Sequence, residues 1–522
     1  MANRETEHYP PRPGRPVSRR SYLLGVDLGS GAVKTTLLTP RGDVAGTSNV
    51  EFPTQYPRTG WAEQDPERWY AAFRAGVAAL LESSAADPAD ITALAVDSAT
   101  HTSVLMDERF AVLRPAIFWT DQRSVAQSDA LNREHGARLF EIAYHYANPV
   151  WTLPQLAWVR ENEPDVWRRT RRLLFAKDYL RLRLTGVYAT DTIDAMGTLF
   201  FDAARMQWSE ELCGLLGFPV ALLPPALEPT HVIGGISPQA ARDTGLSPHT
   251  RVVAGSTDTA CELFAAGAIE EGQATVKLAT AGRICLVTDR ALPHPFLINY
   301  RHLVPGRWYP GAATKACASS FRWYKDTFGD LEQQDARAKG TTPYRLFDEG
   351  AAAISAGAEG LFFHPYLMGE LTPYFDPLLR GSFTGISMRH TKAHFTRAVL
   401  EGVGFSLRDG MGVMRGLDAE IRGIRIIGGG STSPLWRQII ADILGVEVTK
   451  MERDDSSLGS AMLAGVATGV FPSFRDAVQK CARVQSVTTP DPAMHGNYGR
   501  RFDLYKEIQE ALVEVNHKIS TI

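Results

Sequence analysis

The chain reads as an α/β protein made of two related domains, and three observations predict it. Its 522 residues exceed what one ordinary core uses. A strand, small-residue turn, strand layout also occurs twice. Val26 to Thr39 encloses Asp27-Leu28-Gly29-Ser30-Gly31, and Val276 to Thr288 encloses Ala279-Thr280-Ala281-Gly282. The two segments share apolar, small and hydroxyl positions, as related domains do. Finally, the apolar run Val252 to Ala254 breaks at Gly255 and Ser256 and passes into a helical face of Cys261, Leu263, Phe264 and Ala268. Asp258 therefore sits where a strand hands over to a helix, a functional edge of α/β sheets. Taken alone, Asp258 reads first as a helix N-cap, a position that Asp favours.

In chain order, Tyr22 to Leu28 is a buried strand, Val33 to Thr39 returns antiparallel, and Val44 to Val50 follows the turn Pro40-Arg41-Gly42-Asp43. Hairpins at the start disfavour a Rossmann fold, which opens with strand, glycine turn and long helix. The first turn carries no GxxxxGK[ST] pattern, so a Walker loop is excluded. Its glycines let backbone N–H groups converge on an anion, and Asp27 beside them suits Mg²⁺. A plain turn with a solvated Asp is the alternative.

Pro66 to Leu81 and Val125 to Tyr144 are amphipathic helices. The strand Ala93 to Val96 ends in Asp97-Ser98-Ala99-Thr100-His101-Thr102, ahead of Val104-Leu105-Met106. Ile117 to Trp119 runs into Thr120-Asp121-Gln122-Arg123. Carboxylate, hydroxyl, imidazole and aromatic groups at strand ends suit a polyhydroxylated ligand. His101 stands out because Asp97, Thr100 and Thr102 crowd it.

In the second half, the strand Ile424 to Ile427 meets Gly428-Gly429-Gly430-Ser431-Thr432-Ser433 and then the helix Leu435 to Leu444. Three glycines exceed what turning needs, and the first helical turn offers N–H groups to an anion. Asp454-Asp455 reads as a solvated loop and helix cap. Pro472 to Cys481 and Tyr498 to Val515 read as surface helices that close the second domain.

The totals exclude other classes. A net charge of −3 gives no argument for nucleic acid or an anionic membrane. No apolar run is long enough to span a bilayer. Cys213, Cys261, Cys285, Cys317 and Cys481 lie far apart without a CxxC pair, which fits a reducing cytoplasm rather than a disulfide framework or zinc site. Residues 1–20 mix Pro10, Pro11, Pro13 and Pro16 with arginines and lack an apolar core, so they read as a disordered tail rather than a signal.

From about Tyr22 to about Phe471 the motifs resemble those of the FGGY carbohydrate kinases, most closely its xylulose-kinase branch. VDLGSGAVKTTL is similar to the first phosphate loop, and GWAEQDPERWY to the start of the substrate domain. AIFWTDQRS and KDYLRLRLTG are near-signature stretches. GSTDTA is similar to the stretch holding the base, and VKLATAG to the second phosphate loop. FFHPYLMGELTPYFDPLLRGSFTGI and RAVLEGVGFSLRD flank the interdomain region, and GGGSTSPLWRQIIADILG is similar to the adenosine loop.

The resemblance implies two actin-like (ribonuclease H-like) domains with an interdomain cleft, residues 21–267 for the sugar and residues 268–522 for ATP. It implies transfer of a phosphoryl group from Mg·ATP to the terminal hydroxyl of a ketose. Asp258 is implied as the catalytic base, with Thr100, His101, Thr259 and Asp121 near the sugar. Ser30, Lys34, Thr280, Gly282, Gly429, Gly430 and Ser433 are implied around ATP, and Asp27 around Mg²⁺. A homodimer is compatible with the resemblance.

The chain departs from the family's pattern at several positions. Thr100-His101-Thr102 replaces Met-His-Gly, Thr259 replaces the Asn after the base, and Ala279-Thr280-Ala281-Gly282 replaces Gly-Thr-Ser-Gly. The changes at His101 and Thr259 lie in the implied sugar pocket. A kinase for ribulose, another ketose or a sugar alcohol is therefore an alternative. So is a sugar- or nucleotide-binding regulator on the same fold.

Overall fold

The structure, a computed structural model, describes residues 21–522. The expected tail at residues 1–20 lies outside the described residues.

Two sheets organise the chain, and they share one plan. In the first, the strands run in the order Val232–Gly235, Arg251–Val253, Ile91–Ser98, Tyr22–Leu28, Ala32–Leu38, Val44–Glu51. The last three are joined antiparallel, Tyr22–Leu28 pairs parallel with Ile91–Ser98, and that strand pairs parallel with Arg251–Val253. The second sheet runs Val484–Thr488, Val448–Met451, Gly423–Ile427, Gln273–Leu278, Gly282–Leu286, Trp308–Thr314, with Ile298–Arg301 added at the edge. Its hairpins are antiparallel, and its two central pairings, Gln273–Leu278 with Gly423–Ile427 and the latter with Val448–Met451, are parallel. The repeat expected from Val26 to Thr39 and Val276 to Thr288 is therefore a repeat of whole sheets.

Two helices join these lobes, Asp258–Ala265 and Ser456–Ala467. Each follows the outer parallel strand of its own sheet and crosses towards the other lobe. The second is almost wholly buried and lies on the first lobe's sheet. Small residues permit that approach. A Cβ on Gly25 would meet the Ser457 carbonyl oxygen at 1.8 Å, and one on Gly459 would meet the Cys261 carbonyl oxygen at 2.0 Å. Hydroxyl contacts finish the seam, Thr36 Oγ1 with Ser457 Oγ at 2.7 Å and Ser460 Oγ donating to Asp97 Oδ2 at 2.5 Å.

Candidate active site

The strand Arg251–Val253 ends at Ala254, and Gly255 turns the chain with φ of 73°. Gly is needed there, since a Cβ would strike the Val96 carbonyl oxygen at 2.0 Å. The helix then starts at Asp258. Its N-cap is Thr257, whose side chain accepts the Ala260 N–H at 3.3 Å, so the capping role expected of Asp258 belongs to its neighbour. Asp258 takes the first helical position and keeps a half-exposed carboxylate. Its Oδ1 accepts the Thr259 N–H at 2.5 Å and the Thr259 hydroxyl at 3.1 Å. Among the described residues nothing bonds its Oδ2.

Asp27 and Asp97 lie side by side on paired parallel strands. Burial, then the charge of Asp258, pushes the Asp27 carboxyl up to about 7. Burial, then Asp27, pushes Asp97 well above the usual carboxylate range, with Asp258 adding to it. Three carboxylates from three different strand ends thus share one field. Asp97 is fully buried, and its Oδ1 has no hydrogen-bond partner among the described residues. Such a pair of hard oxygen donors beside an exposed glycine turn fits Mg²⁺, which takes one or two carboxylates and completes its shell with phosphate and water.

His101 closes the first lobe's side of the cleft. It is buried, with φ of 70°, a left-handed conformation uncommon for a residue with a side chain. Its Nδ1 lies 2.6 Å from the Gly197 carbonyl oxygen, so Nδ1 carries the proton and Nε2 is the acceptor, met by the Tyr300 hydroxyl at 3.3 Å. Gly197 is needed, because a Cβ would collide with the imidazole at 2.4 Å. Burial lowers the His101 pKa to about 3, so the ring is neutral at physiological pH. Trp151 packs against it with ring centroids 4.3 Å apart. Thr100 sits in the half-exposed turn before it.

Beneath the pocket lies a fully buried charge network that the sequence did not reveal. Lys177 Nζ reaches Asp178 at 2.7 Å and Asp191 and Asp194 at 2.8 Å each. Asp191 caps the helix Thr192–Met196 that leads to Gly197, and it accepts from Ser256 Oγ at 3.2 Å. One buried bed therefore supports both the strand end before Asp258 and the carbonyl that holds His101.

The second lobe presents the turn at Ala279 to Ala281. Thr280 is exposed, and the start of the helix Ala318–Phe328 grips the turn's backbone, Ala318 N–H to the Ala279 oxygen at 2.7 Å and Ser319 Oγ to the Thr280 oxygen at 2.6 Å. Gly282 is a packing residue, since a Cβ would meet Thr314 Cγ2 at 2.5 Å. The triple-glycine turn stands beside it. A Cβ on Gly428 would meet the Leu278 carbonyl oxygen at 2.8 Å, while Gly429 has open space around it. A Cβ on Gly430 would meet Leu278 and Trp436, each at 2.8 Å.

Three residues singled out in the sequence already have partners in the structure. Asp121 is wholly buried and held by Arg123, with a salt bridge of 2.8 Å, and by the Ala62 N–H at 2.6 Å. Both of its oxygens already have partners in that loop. Ser433 caps the helix Pro434–Leu444 by accepting the Trp436 N–H at 3.0 Å, which uses an oxygen lone pair and leaves its O–H to donate. Lys34 pairs with Asp455 at 3.2 Å, so Asp455 is an interlobe partner as well as the expected cap. Ser30 remains exposed, its carbonyl held by Gln64 Nε2 at 2.8 Å.

The sequence reading also missed Arg283, Lys277 and Glu262, which bridge the lobes. Lys277 Nζ meets Glu262 Oε1 at 2.5 Å, and the Arg283 guanidinium donates to Thr259 Oγ1. The signal for Glu262 was available, as it lies one helical turn beyond Asp258 on the same face.

Two lobes of one sheet plan, with glycine turns from both and a carboxylate at the head of a connecting helix, define an actin-like ATP-dependent phosphotransferase. More narrowly, the chain belongs to the FGGY family of carbohydrate kinases. Residues 22–265 match that family's N-terminal domain and residues 282–468 its C-terminal domain. The chain is similar to xylulose kinase of Bacillus subtilis (strain 168), 32% identical over 499 residues, 95% of this chain and 98% of the relative. It is similar to gluconokinase of the same organism, 30% identical over 462 residues, 88% and 90% of the two chains. The crystal structure of xylulose kinase from Rhodospirillum rubrum superposes with a TM-score of 0.88 at 28% identity, over 95% of this chain and 100% of that one. Among the described residues no helix is long and apolar enough to cross a membrane.

Proposed function

We propose that this kinase transfers the γ-phosphoryl group of ATP to the terminal hydroxyl of D-xylulose, giving D-xylulose 5-phosphate. The observation that carries the reading is the placement of Asp258. One carboxylate oxygen is tied and the other is open, at the head of the helix between the lobes. In this reading Asp258 orients the sugar hydroxyl and takes its proton late in the transfer, while His101, Thr100 and Thr259 line the sugar side. A sugar hydroxyl would reach the acceptor nitrogen of neutral His101 only by taking the place of the Tyr300 hydroxyl, which lies 3.3 Å from it. Thr280, Gly282, Gly429 and Gly430 hold ATP from the second lobe, with Ser30 and Lys34 reaching it from the first. Asp27, with Asp97 beside it, would hold Mg²⁺, which neutralises phosphate charge when bound. Closure of the lobes excludes water as a competing acceptor. Five buried, free cysteines suit a cytoplasmic enzyme.

The gluconokinase relative makes gluconate the competing substrate. Coupled ADP release measured over D-xylulose, D-ribulose, sugar alcohols and gluconate tests the choice. D-xylulose is expected to give the highest kcat/KM. A larger value for gluconate or a polyol overturns the sugar assignment. ATP binding without ADP release on any of them favours a binding protein instead. For the base, Asp258→Asn is expected to lower turnover by about 10³-fold with ATP binding retained. Turnover within tenfold of the parent rules that role out.

A further inference from the structure

Arg283 stands on the strand that leaves the second lobe's phosphate turn, directly after Gly282. It pairs in register with Lys277, and the strand is held by close packing of Gly282 on Thr314 and Cys317. Its guanidinium crosses the cleft and donates to Thr259 Oγ1. A guanidinium has donors only, so that bond uses an oxygen lone pair of Thr259 and leaves the hydroxyl hydrogen for another acceptor. The acceptor is Asp258 Oδ1 at 3.1 Å, the oxygen that also takes the Thr259 N–H. The charged groups around Arg283 are Asp258, Glu262 and Lys277, with Tyr309 and Cys285 beside them. Thr259, at 7% exposure, has little freedom to turn elsewhere.

We propose that Arg283 is a positioning residue for Asp258, acting through Thr259. The relay fixes Oδ1 and leaves Oδ2 as the single oxygen presented to the sugar hydroxyl. Because Arg283 and Thr259 belong to different lobes, the base is oriented only when the second lobe's phosphate turn has come up to it. One departure from the family's pattern, Thr259, is thus bonded to the residue that directly follows another, the turn Ala279 to Gly282. The inference rests on the reading of Asp258 as the base.

The test uses the full chain with Arg283→Met, Arg283→Lys and Thr259→Val, each also combined with Asp258→Asn. Steady-state kinetics at varied ATP and sugar are read beside Tm. Arg283→Met is expected to lower kcat about 10- to 100-fold, the range for a misplaced catalytic group, with KM for ATP changed less than about threefold. Thr259→Val cuts the same link and is expected to match it. Arg283→Lys keeps one donor and is expected to recover part of the loss. In Asp258→Asn none of the three is expected to lower the residual rate further.

A kcat within twofold of the parent for both Arg283→Met and Thr259→Val overturns the relay. So does a loss confined to KM for ATP, which makes Arg283 a phosphate contact. An undiminished further fall in Asp258→Asn also overturns it, since Arg283 then acts without the base. Should Arg283→Met fail to fold, Thr259→Val and Arg283→Lys still decide. Asp258→Asn alone reports on the base, so failure of that reading is seen separately.

Discussion

The same two-stranded frame appears once in each lobe, with opposite chemistry. In the first lobe the strand positions flanking the turn pair Asp27 with Lys34; in the second they pair Lys277 with Arg283. The helix that faces each frame is matched too. Ser456, Ser457 and Ser460 face the first lobe's strands at the spacing with which Asp258, Thr259 and Glu262 face the second's. An acidic strand therefore meets a hydroxyl helix at one seam, and a basic strand meets an acidic helix at the other. The packing differs as well. The serine helix is seated on its sheet through Gly25, whereas the Asp258 helix meets its opposite sheet through long side chains, Lys277 to Glu262 and Arg283 to Thr259. One seam is a joint of closely packed backbone, and the other is joined through side-chain ends. The two lobes share one scaffold, and a few charged side chains set the two seams apart.

The largest expected effect comes from breaking the closely packed joint. Gly459→Leu puts a side chain where the Cys261 carbonyl already lies, and Gly25→Leu does the same against Ser457. Backbone atoms cannot swing aside as a side-chain end does, so each substitution is expected to cost about 3 kcal/mol or more. The measurement is Tm and soluble yield. A variant within about 2 °C of the parent would show that the serine helix is not held by close approach.

The seam joined through side-chain ends is expected to respond in kinetics rather than stability. Lys34–Asp455 and Lys277–Glu262 have similarly exposed partners, 33% with 23% and 33% with 17%, so each contributes about 1 kcal/mol or less. Removing Lys277 also leaves Glu262, whose carboxyl burial already pushes up, without its cation, close to Asp258. Lys277→Met is expected to lower kcat about tenfold, and Lys34→Met to raise KM for ATP about fivefold with kcat kept. If both variants change the same parameter, the two seams are functionally alike and the contrast drawn from their charges is wrong.

Much of this frame was legible in the sequence because its elements carry their own pattern. The strand Tyr22 to Leu28 has the bounds expected, and the helix from Pro66 runs to Ser84, three residues beyond the apolar stripe. The helix Lys392–Arg415 was not delimited, since it is buried on most sides and shows no single apolar face, with Arg397 and Glu401 paired inside. Trp308–Thr314 was missed for another reason. Pro310-Gly311 reads as a turn, yet it lies in a strand. That strand and its neighbour carry the buried Tyr309 and Tyr300, which meet Thr257 and His101. Asp27, His101 and Asp258 could be picked out because each ends a strand. Arg283 could not, because its role exists only where two lobes meet.

The smallest expected effect sharpens the contrast beneath the sites. The second lobe's turn rests on a helix N-terminus, whereas the first lobe's pocket rests on buried charge in which two cations, Lys177 and Arg181, face three carboxylates. One carboxylate is in excess, and in a fully buried site the proton stays where the surplus lies. Burial, opposed by Lys177 and helped by Asp191 and Asp178, raises Asp194 to about 7 from an ordinary value of 3.8. The folded protein therefore binds this proton more tightly than the unfolded chain does. Its stabilising contribution is complete below the unfolded value and is lost as pH rises through about 7. Asp194→Asn keeps the acceptor for Lys177 and removes the surplus charge, so Tm is expected to fall less between pH 6 and 8 than in the parent. Thermal melts across that range check it, and parallel Tm curves for parent and variant would mean that the surplus proton sits elsewhere in the network.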